Sequence, residues 1–343
     1  MVFLDWASTS PMIRFTAGQY GNHCINPNAA YAYEERKILM DCEERIKAAI
    51  GVKGGHVLYF RCATEAIDWL AERTYELQCT RDFAHSQYEH DASVIGMKLE
   101  PNETNDIDFY IHQWVNHITG EIFDLKTIRS QLHKTCKLVV DATAGFGKSK
   151  LPSGLDNIAD ALFMSGHKIG CPELSFMWLS DNLCEWLGAA KDIRNQWGLH
   201  HGSLSVASVL ALTDAVEWAC ENGNRVDGHS VRLYVQMNDM LDKARIEHRD
   251  VLEHQMFTCS INAIRLNGIN ADALQQFLAS RGIYVGVGGS ACSAAHDYRV
   301  LRAYGLTDGE ASEVIRVSFG DETTASDIEA LVEGVKEYRR QFC

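Results

Sequence analysis

The sequence predicts an α/β fold with a mostly parallel sheet, joined to a smaller α+β domain. Between about residues 56 and 180, short apolar runs alternate with amphipathic stretches, a pattern typical of parallel strands connected by helices. Beyond about residue 224, helical stretches rich in Arg, Asp and Glu surround short strand candidates. A length of 343 residues also favours two domains. Ligands of such folds bind beyond the carboxyl ends of the strands.

The predicted elements follow in chain order. In the first domain we expect strands at 56–60, 107–111, 138–140 and 161–164, and helices at 63–73 and 123–132. A helix that begins near Val206 is expected to end at the turn-like residues 221–224. In the second domain we expect helices at 231–247 and 326–340 and strands at 263–266 and 314–319. The predicted division is 15–224 for the large domain, with 1–14 and 225–343 forming the small one.

Composition and charge exclude several classes of protein. Asp and Glu number 46 against 32 Lys and Arg, which gives a net charge of −14 and makes nucleic acid and anionic membrane poor partners. Neither a signal peptide nor a run of about 20 apolar residues occurs, so a cytoplasmic location is expected. The eleven cysteines are scattered without a close pair, which indicates reduced thiols and no metal site.

A candidate nucleophile follows the predicted strand at 161–164. Lys168 closes the sequence Ser-Gly-His-Lys, and burial at a strand end would lower its pKa and make the amine reactive. Ser165 and His167 could donate hydrogen bonds to a phosphate. A solvated loop lysine would give the same sequence pattern, so this alternative stays open.

Three further candidates are expected after strands, and His90 among them at the start of another helix. Asp141 ends an apolar strand and could hold a protonated ring nitrogen, or it could cap a turn. Ala63 and Thr64 open a helix, where free backbone N–H groups suit a phosphate, although Thr64 could equally be a helix cap. His90 could stack on a flat ring or be structural.

The order Thr64, His90, Asp141, Lys168 resembles the class V aminotransferases of the pyridoxal phosphate (PLP) fold type I, and among them the cysteine desulfurases. The similarity extends over nearly the whole chain, at residues 3–11, 63–65, 89–90, 140–143, 165–168, 289–293, 300–303 and 315–320. This resemblance implies a large domain with a mostly parallel, seven-stranded sheet flanked by helices, plus a smaller α+β domain that carries a cysteine loop.

The resemblance also implies a role for each site residue. Lys168 would bind the cofactor covalently, and Lys168 or a neighbouring histidine would move protons. Asp141 would hold the ring nitrogen of the cofactor, and His90 would stack on its ring. The residues implied to contact the cofactor elsewhere are Ala63, Thr64, Ser165, His167, His117 and Ser203. Ser203 would reach the cofactor phosphate of the neighbouring subunit, which implies a homodimer.

For the substrate, the resemblance implies L-cysteine, which Arg316 and Asn26 would bind. Cys292, within the sequence Gly-Ser-Ala-Cys-Ser, would take the sulfur as a persulfide and pass it to an acceptor protein. The glycines before Cys292 and the small residues after it suit a nucleophile on a loop that must move.

Two positions depart from the family pattern at the cofactor's 3′-oxygen. His117 stands where the family has an asparagine, and Ala144 stands where it has a glutamine. We therefore expect His117 or Thr143 to supply the missing hydrogen bond. Two alternatives to a desulfurase remain: another PLP enzyme, such as a selenocysteine lyase, C–S lyase or transaminase, or a degenerate family member that acts as a scaffold.

Overall fold

The computed structural model describes residues 1–21, 23, 25–77, 83–253, 255–288 and 297–342, which form two compact units. The larger unit consists of Met12–Trp114 and Asp124–Asn222. The smaller unit consists of Met1–Pro11, Val115–Phe123 and Gly223–Cys343. The short segment Val115–Phe123 was expected in the large domain and lies in the smaller unit.

The described residues contain strands and helices with the following bounds. The strands are β1 (Val2–Leu4), β2 (His56–Phe60), β3 (Phe83–His85), β4 (Met97–Lys98), β5 (Phe109–Gln113), β6 (Lys137–Asp141), β7 (Ala161–Ser165), β8 (Ser175–Leu179), β9 (His248–Asp250), β10 (Ile261–Leu266), β11 (Ile283–Val287) and β12 (Val314–Ser318). The helices are α1 (Tyr33–Ile50), α2 (Ala63–Glu76), α3 (Leu125–Gln131), α4 (Asp181–Leu187), α5 (Arg194–Trp197), α6 (Val206–Lys243), α7 (Ala271–Ala279), α8 (Arg299–Ala303), α9 (Asp308–Ala311) and α10 (Ala325–Phe342).

The larger unit is built on a seven-stranded sheet in the order β2-β8-β7-β6-β5-β3-β4. The pairings from β7 through β4 are parallel, whereas β8 is antiparallel to both of its neighbours. Its strands are short and largely buried, as expected for a sheet covered by helices on both faces. The predicted α/β fold with a mostly parallel sheet is confirmed.

The core of the larger unit forms where the sheet packs against α2 and α4. One face of α2 buries Ala66, Ile67 and Leu70, whose spacing is that of an amphipathic helix. These side chains join a buried cluster that includes Phe109, Val139 and Phe163 of the central strands. This packing fixes the direction in which the ends of β5, β6 and β7 point.

The smaller unit contains a mixed sheet in the order β1-β11-β12-β10-β9. Among the strands that the structure describes, β1 and β11 pair in parallel, and β11–β12, β12–β10 and β10–β9 pair antiparallel. Buried residues of α10 recur every three or four positions and pack with α7 and the sheet in one core, which contains Leu274, Ile315, Ile328, Leu331 and Val335. This unit is the smaller α+β part that the sequence predicts.

The predicted helix end at residues 221–224 is wrong, because α6 continues through these residues. Asn222 donates from Nδ2 to the carbonyl oxygen of Trp218, at 2.8 Å. Its side chain therefore bonds to the helix backbone one turn earlier and does not form a turn. Ala219 and Val226, seven residues apart and both buried, lie on one helix face on either side of the cluster. Their packing outweighs the weak helix propensity of Asn and Gly.

Two absences concern the part of the chain that the structure describes. None of its helices is long and apolar enough to cross a bilayer. It also contains no group of three or more His, Cys, Asp or Glu residues that could hold a metal ion.

Candidate active site

The candidate residues of the larger unit follow the carboxyl ends of its strands at one edge of the sheet. Asp141 ends β6, and Lys168 lies three residues beyond the end of β7, its parallel neighbour. His90 comes five residues after the end of β3, which is parallel to β5. Because β2 and β7 are both antiparallel to β8, they run in the same direction, and Thr64 follows β2 at the same edge. Adjacent strands lie about 4.8 Å apart, so this edge collects the four residues.

Asp141 is a buried carboxylate with two hydrogen-bond donors from its own unit. Its Oδ1 accepts from the backbone N–H of Thr143 at 2.8 Å, and its Oδ2 accepts from the Ser93 hydroxyl at 3.5 Å. Asp141 is 7% exposed and Ser93 is fully buried. Ser93 comes 48 residues before Asp141 and lies in no sequence motif, so it was not among the predicted site residues.

Thr143 places a buried hydroxyl beside this carboxylate. Its Oγ1 has no hydrogen-bond partner among the described residues. A buried hydroxyl without a partner is unfavourable by about 1–3 kcal/mol, so such groups often bind a ligand. The neighbouring Ala144 is buried, and its methyl side chain offers no hydrogen-bond donor.

Lys168 lies in a one-turn 3-10 helix, Gly166–Ile169, directly after β7. The turn requires glycine at its start, because a Cβ on Gly166 would come within 2.1 Å of the carbonyl oxygen of Leu174. The turn ends at Gly170, which has a φ of +83° that favours glycine. Lys168 is therefore held half-buried at a fixed position on the edge of the sheet.

The residues before Lys168 are also fixed by their surroundings. Burial, together with the nearby positive charges of Lys168 and Lys148, lowers the pKa of His167 to about 4. His167 is therefore neutral at physiological pH. The buried Ser165 hydroxyl lies 3.3 Å from the Ser175 hydroxyl, which is not a contact that the sequence indicates.

His90 precedes a short 3-10 turn, Asp91–Ser93. Its Nδ1 accepts a hydrogen bond from the backbone N–H of Ala92 at 3.1 Å. This bond fixes the unprotonated nitrogen of the ring and so sets the ring's orientation. The same turn places Ser93 against Asp141.

Ala63 and Thr64 form the first turn of α2, and Thr64 is exposed. Cys62 is the N-cap residue but gives no side-chain hydrogen bond to the helix. The first N–H groups of a helix have no partner within it, so this turn offers donors to an anion. The predicted phosphate site here agrees with the local backbone, and its occupancy stays a prediction.

Asn26 and Ser203 are both exposed. Asn28 connects the chain around Asn26 with the chain around Ser203 through hydrogen bonds. The Asn28 backbone N–H donates to Oδ1 of Asn26 at 2.9 Å, and its Nδ2 donates to the carbonyl oxygen of Gly202 at 3.3 Å. Within the larger unit, the structure therefore links the residue predicted to bind substrate with the one predicted to reach a second subunit.

In the smaller unit, Arg316 on β12 is 1% exposed and forms two polar contacts. Its Nη2 donates to Oδ1 of Asp5 at 2.7 Å, and its Nη1 donates to the carbonyl oxygen of His117 at 2.9 Å. Its Nε is buried without a partner among the described residues. Arg316 and His117 are predicted site residues, whereas Asp5, which lies 311 residues before Arg316, had no predicted role.

Cys292 falls in residues 289–296, outside the described residues, so its predicted role stays a prediction. Several other cysteines are described, and burial raises their thiol pKa above the usual value. The cysteines with a raised pKa are Cys42, Cys136, Cys171, Cys184, Cys220 and Cys259. These thiols are protonated near neutral pH and are poor nucleophiles.

The chain is similar to known proteins over most of its length. A family model described as aminotransferase class-V matches residues 104–331. The chain is 24% identical to the putative cysteine desulfurase NifS of Halalkalibacterium halodurans, with 98% of both chains covered. It is 26% identical to the putative cysteine desulfurase NifS of Bacillus subtilis, covering 97% of this chain and 93% of that protein. Among solved structures, a NifS-like protein superposes with a TM-score of 0.83 at 18% identity, covering 99% of this chain and 100% of the other.

Proposed function

The chain belongs to the aminotransferase class-V family, and from this premise we propose that it is a PLP-dependent cysteine desulfurase. It would take sulfur from L-cysteine, release L-alanine and hold the sulfur as a persulfide on Cys292 for an acceptor protein. The observation that carries the proposal is the position of Lys168 and the buried Asp141 after two neighbouring parallel strands.

The residues at the sheet edge fit PLP, the cofactor typical of this family. A buried carboxylate suits a protonated pyridine nitrogen, and Asp141 is such a carboxylate. The Thr143 hydroxyl beside it lacks a partner among the described residues, as a group that binds a ligand would. When bound, PLP supplies an electron sink for the carbon atoms of an amino-acid substrate.

Each residue of the larger unit has a proposed task. Lys168 would hold the cofactor through its Nζ and would move a proton at that atom. His90 covers the ring, with its orientation set by the bond from Ala92. His167, neutral because of burial, donates a hydrogen bond toward the phosphate without adding charge. The first turn of α2, at Ala63 and Thr64, and the Ser165 hydroxyl complete the phosphate contacts.

Arg316 and Cys292 act on the substrate. The Arg316 guanidinium binds the carboxylate, and Asn26 assists. The Cys292 thiolate attacks the substrate sulfur, so that an S–S bond forms, the C–S bond breaks and alanine leaves with the proton that replaces the sulfur. Support for Cys292 comes from its glycine-rich sequence context, and from the raised pKa of the described thiols Cys136 and Cys184.

The test is mass spectrometry of the protein after incubation with L-cysteine. We expect a mass increase of one sulfur atom on the peptide that contains Cys292, together with one equivalent of alanine. A Cys292→Ser variant should keep the visible cofactor band and transfer no sulfur. Cys136→Ser, which changes a buried thiol, is the control and should retain transfer.

The outcome also separates the alternatives. Sulfide release together with pyruvate, independent of Cys292, would identify a C–S lyase instead. A chain that binds no PLP at all would support the scaffold role. An unlabelled Cys292 with alanine still formed would contradict the proposed sulfur acceptor residue.

A further inference from the structure

We propose that Asp5 is an internal carboxylate that occupies Arg316 until the carboxylate of the substrate replaces it. This inference rests on the proposed function, because it assumes that Arg316 is the carboxylate receptor. It adds a residue with no assigned role and predicts which ligands the site favours.

Arg316 is a buried cation whose binding capacity is only partly used. Of its three nitrogens, Nη1 is committed to the carbonyl oxygen of His117 at 2.9 Å, and Nη2 is bound by Oδ1 of Asp5 at 2.7 Å. Nε is buried and has no partner among the described residues. Asp5 thus binds the Nε–Nη2 edge through a single oxygen at Nη2.

A planar guanidinium binds a carboxylate best through two parallel hydrogen bonds. A substrate carboxylate on the Nε–Nη2 edge would engage both nitrogens, whereas Asp5 engages one. The exchange would therefore satisfy Nε while it leaves the net charge around Arg316 unchanged. Neutrality matters here, because an uncompensated charge at a site that is 1% exposed is strongly unfavourable.

The neighbouring backbone keeps this edge free of side chains. Gly286 on β11 pairs with Arg316 on β12. A Cβ on Gly286 would lie 2.9 Å from Nε, 2.9 Å from Oδ1 of Asp5 and 3.1 Å from Nη2 of Arg316. Glycine at this position therefore leaves room at the atoms that the exchange requires.

Asp5 can leave by side-chain rotation alone. Its carbonyl oxygen accepts from the backbone N–H of Ser8 at 2.9 Å, and the backbone N–H of Ala7 donates to the Ser318 hydroxyl at 2.8 Å. These bonds hold the backbone around Asp5 in place. The Asp5 side chain is 18% exposed against 1% for Arg316, so Asp5 is the more accessible partner of the pair.

The expected consequence is that, in the native protein, ligands with a carboxylate bind only slightly more tightly than matched ligands without one. A substrate carboxylate must displace an existing carboxylate, so only the gain at Nε is realised. Removing the charge of Asp5 should raise the affinity of Arg316 for a ligand carboxylate, because no internal carboxylate then has to be displaced. Asp5 would thus act as a selectivity element that weakens the binding of simple carboxylates.

The test compares L-alanine with L-alaninol, which lacks the carboxylate, as ligands of the PLP-loaded protein by calorimetry. We expect L-alanine to bind less than about tenfold more tightly than L-alaninol to the native protein. In Asp5→Asn the difference should widen by about tenfold, because a charged acceptor is lost while a neutral one remains. Asp308→Asn, which removes the exposed partner of Arg302, is the control and should leave the ratio unchanged. If Asp5→Asn does not fold, Asp5→Ser serves the same comparison.

An unchanged ratio in the Asp5 variants would overturn the inference. A native protein that prefers L-alanine by a hundredfold or more would also contradict it. Sulfur transfer to Cys292 is measured separately. If transfer is intact but the ratio of L-alanine to L-alaninol affinity does not change in the Asp5 variants, only this inference is contradicted. A native protein without cofactor band or transfer would instead contradict the proposed function.

Discussion

Lys168 and Lys148 both lie close enough to His167 to lower its pKa, so a test of the proposed covalent attachment of PLP must distinguish these two lysines. We expect borohydride reduction of the PLP-loaded protein to label the peptide that contains Lys168, because this residue follows a strand end at the sheet edge. Lys168→Ala should abolish the label, and Lys148→Ala should retain it. Peptide mapping by mass spectrometry gives the answer, and a label on Lys148 would contradict the assignment.

The hydroxyl group of Thr143 is predicted to contribute to the affinity for PLP. We expect Thr143→Val to weaken PLP binding by roughly 10–100-fold, because it would remove the hydrogen bond expected from Thr143 to the cofactor's partly charged 3′-oxygen, worth about 1.5–3 kcal/mol. Thr143→Ser should behave like the native protein, since it keeps the hydroxyl. The pH titration of the visible band should shift in the valine variant. If it shifts only in His117→Ala, the histidine and not the threonine contacts the ring.

Some site residues could be predicted from sequence and others could not, for a physical reason. Asp141 and Lys168 end or follow short apolar strands, and a parallel sheet brings such positions to one edge. The pairing of Asp5 with Arg316 joins residues 311 positions apart, and no local periodicity encodes that contact. Ser93 was missed for the same reason, since only the fold brings it to Asp141.

At the scale of elements, β5 contains a titratable group that makes stability depend on pH. Burial lowers the pKa of His112 from 6.5 to about 4. Between these values the unfolded chain binds a proton that the folded chain does not, so stability falls as pH falls from about 6.5 to 4. We expect His112 to contribute about 2 kcal/mol of that loss between pH 7 and pH 5.

Urea unfolding at the two pH values checks this contribution. The variant His112→Gln should show a smaller loss of unfolding free energy on acidification, whatever its stability at pH 7. The exposed His133 provides a matched control, and His133→Gln should leave the pH dependence unchanged. An equal loss in native protein and His112→Gln would show that other groups cause it.

Two glycines allow the effect of backbone conformation on stability to be separated from the effect of steric clashes with an added Cβ. A Cβ on either Gly228, inside α6, or Gly51, at the end of α1, would meet no atom within 4 Å. Gly51 has a φ of +75°, whereas Gly228 is within a regular helix. We expect Gly228→Ala to raise the free energy of unfolding by about 0.5–1 kcal/mol and Gly51→Ala to lower it by about 1–2 kcal/mol. Urea denaturation measures both, and equal signs would contradict this explanation.

Element existence was easier to predict than element limits. The strand at 56–60 has the predicted bounds, whereas β5 begins and ends two residues later than expected, at Phe109–Gln113. The continuous helix α6 was predicted as two helices, because Asn and Gly are read locally as turn residues. Its packed face decides the outcome, and sequence alone does not show what that face will contact.

At the scale of the whole molecule, we predict a homodimer, because Ser203 is proposed to serve the cofactor of a second subunit. Ser203 is exposed in the single chain. The stretch before and into α1 also exposes Ile13, Tyr31 and Tyr33, at 65%, 75% and 72%, and such apolar surface is typical of interfaces. An obligate interface buries roughly 2,000 Å² or more.

Sedimentation at micromolar concentration with cofactor bound should therefore show a dimer. Ser203→Ala should remain dimeric but bind PLP more weakly, since it removes a hydroxyl and little apolar area. A monomer that binds the cofactor as tightly as a dimer would contradict the shared site.

The parallel pairing of β1 with β11 has a consequence for synthesis on the ribosome. Val2 of β1 pairs with Ile283 of β11, so β1 is synthesised almost three hundred residues before its partner strand. At translation rates of about 5–20 residues per second, the delay is on the order of tens of seconds. During that time the larger unit can already fold, while the first strand exposes an unpaired edge. Chaperones that shield nascent strand edges would act at this stage, and slowing translation should lengthen their contact with the N-terminal segment.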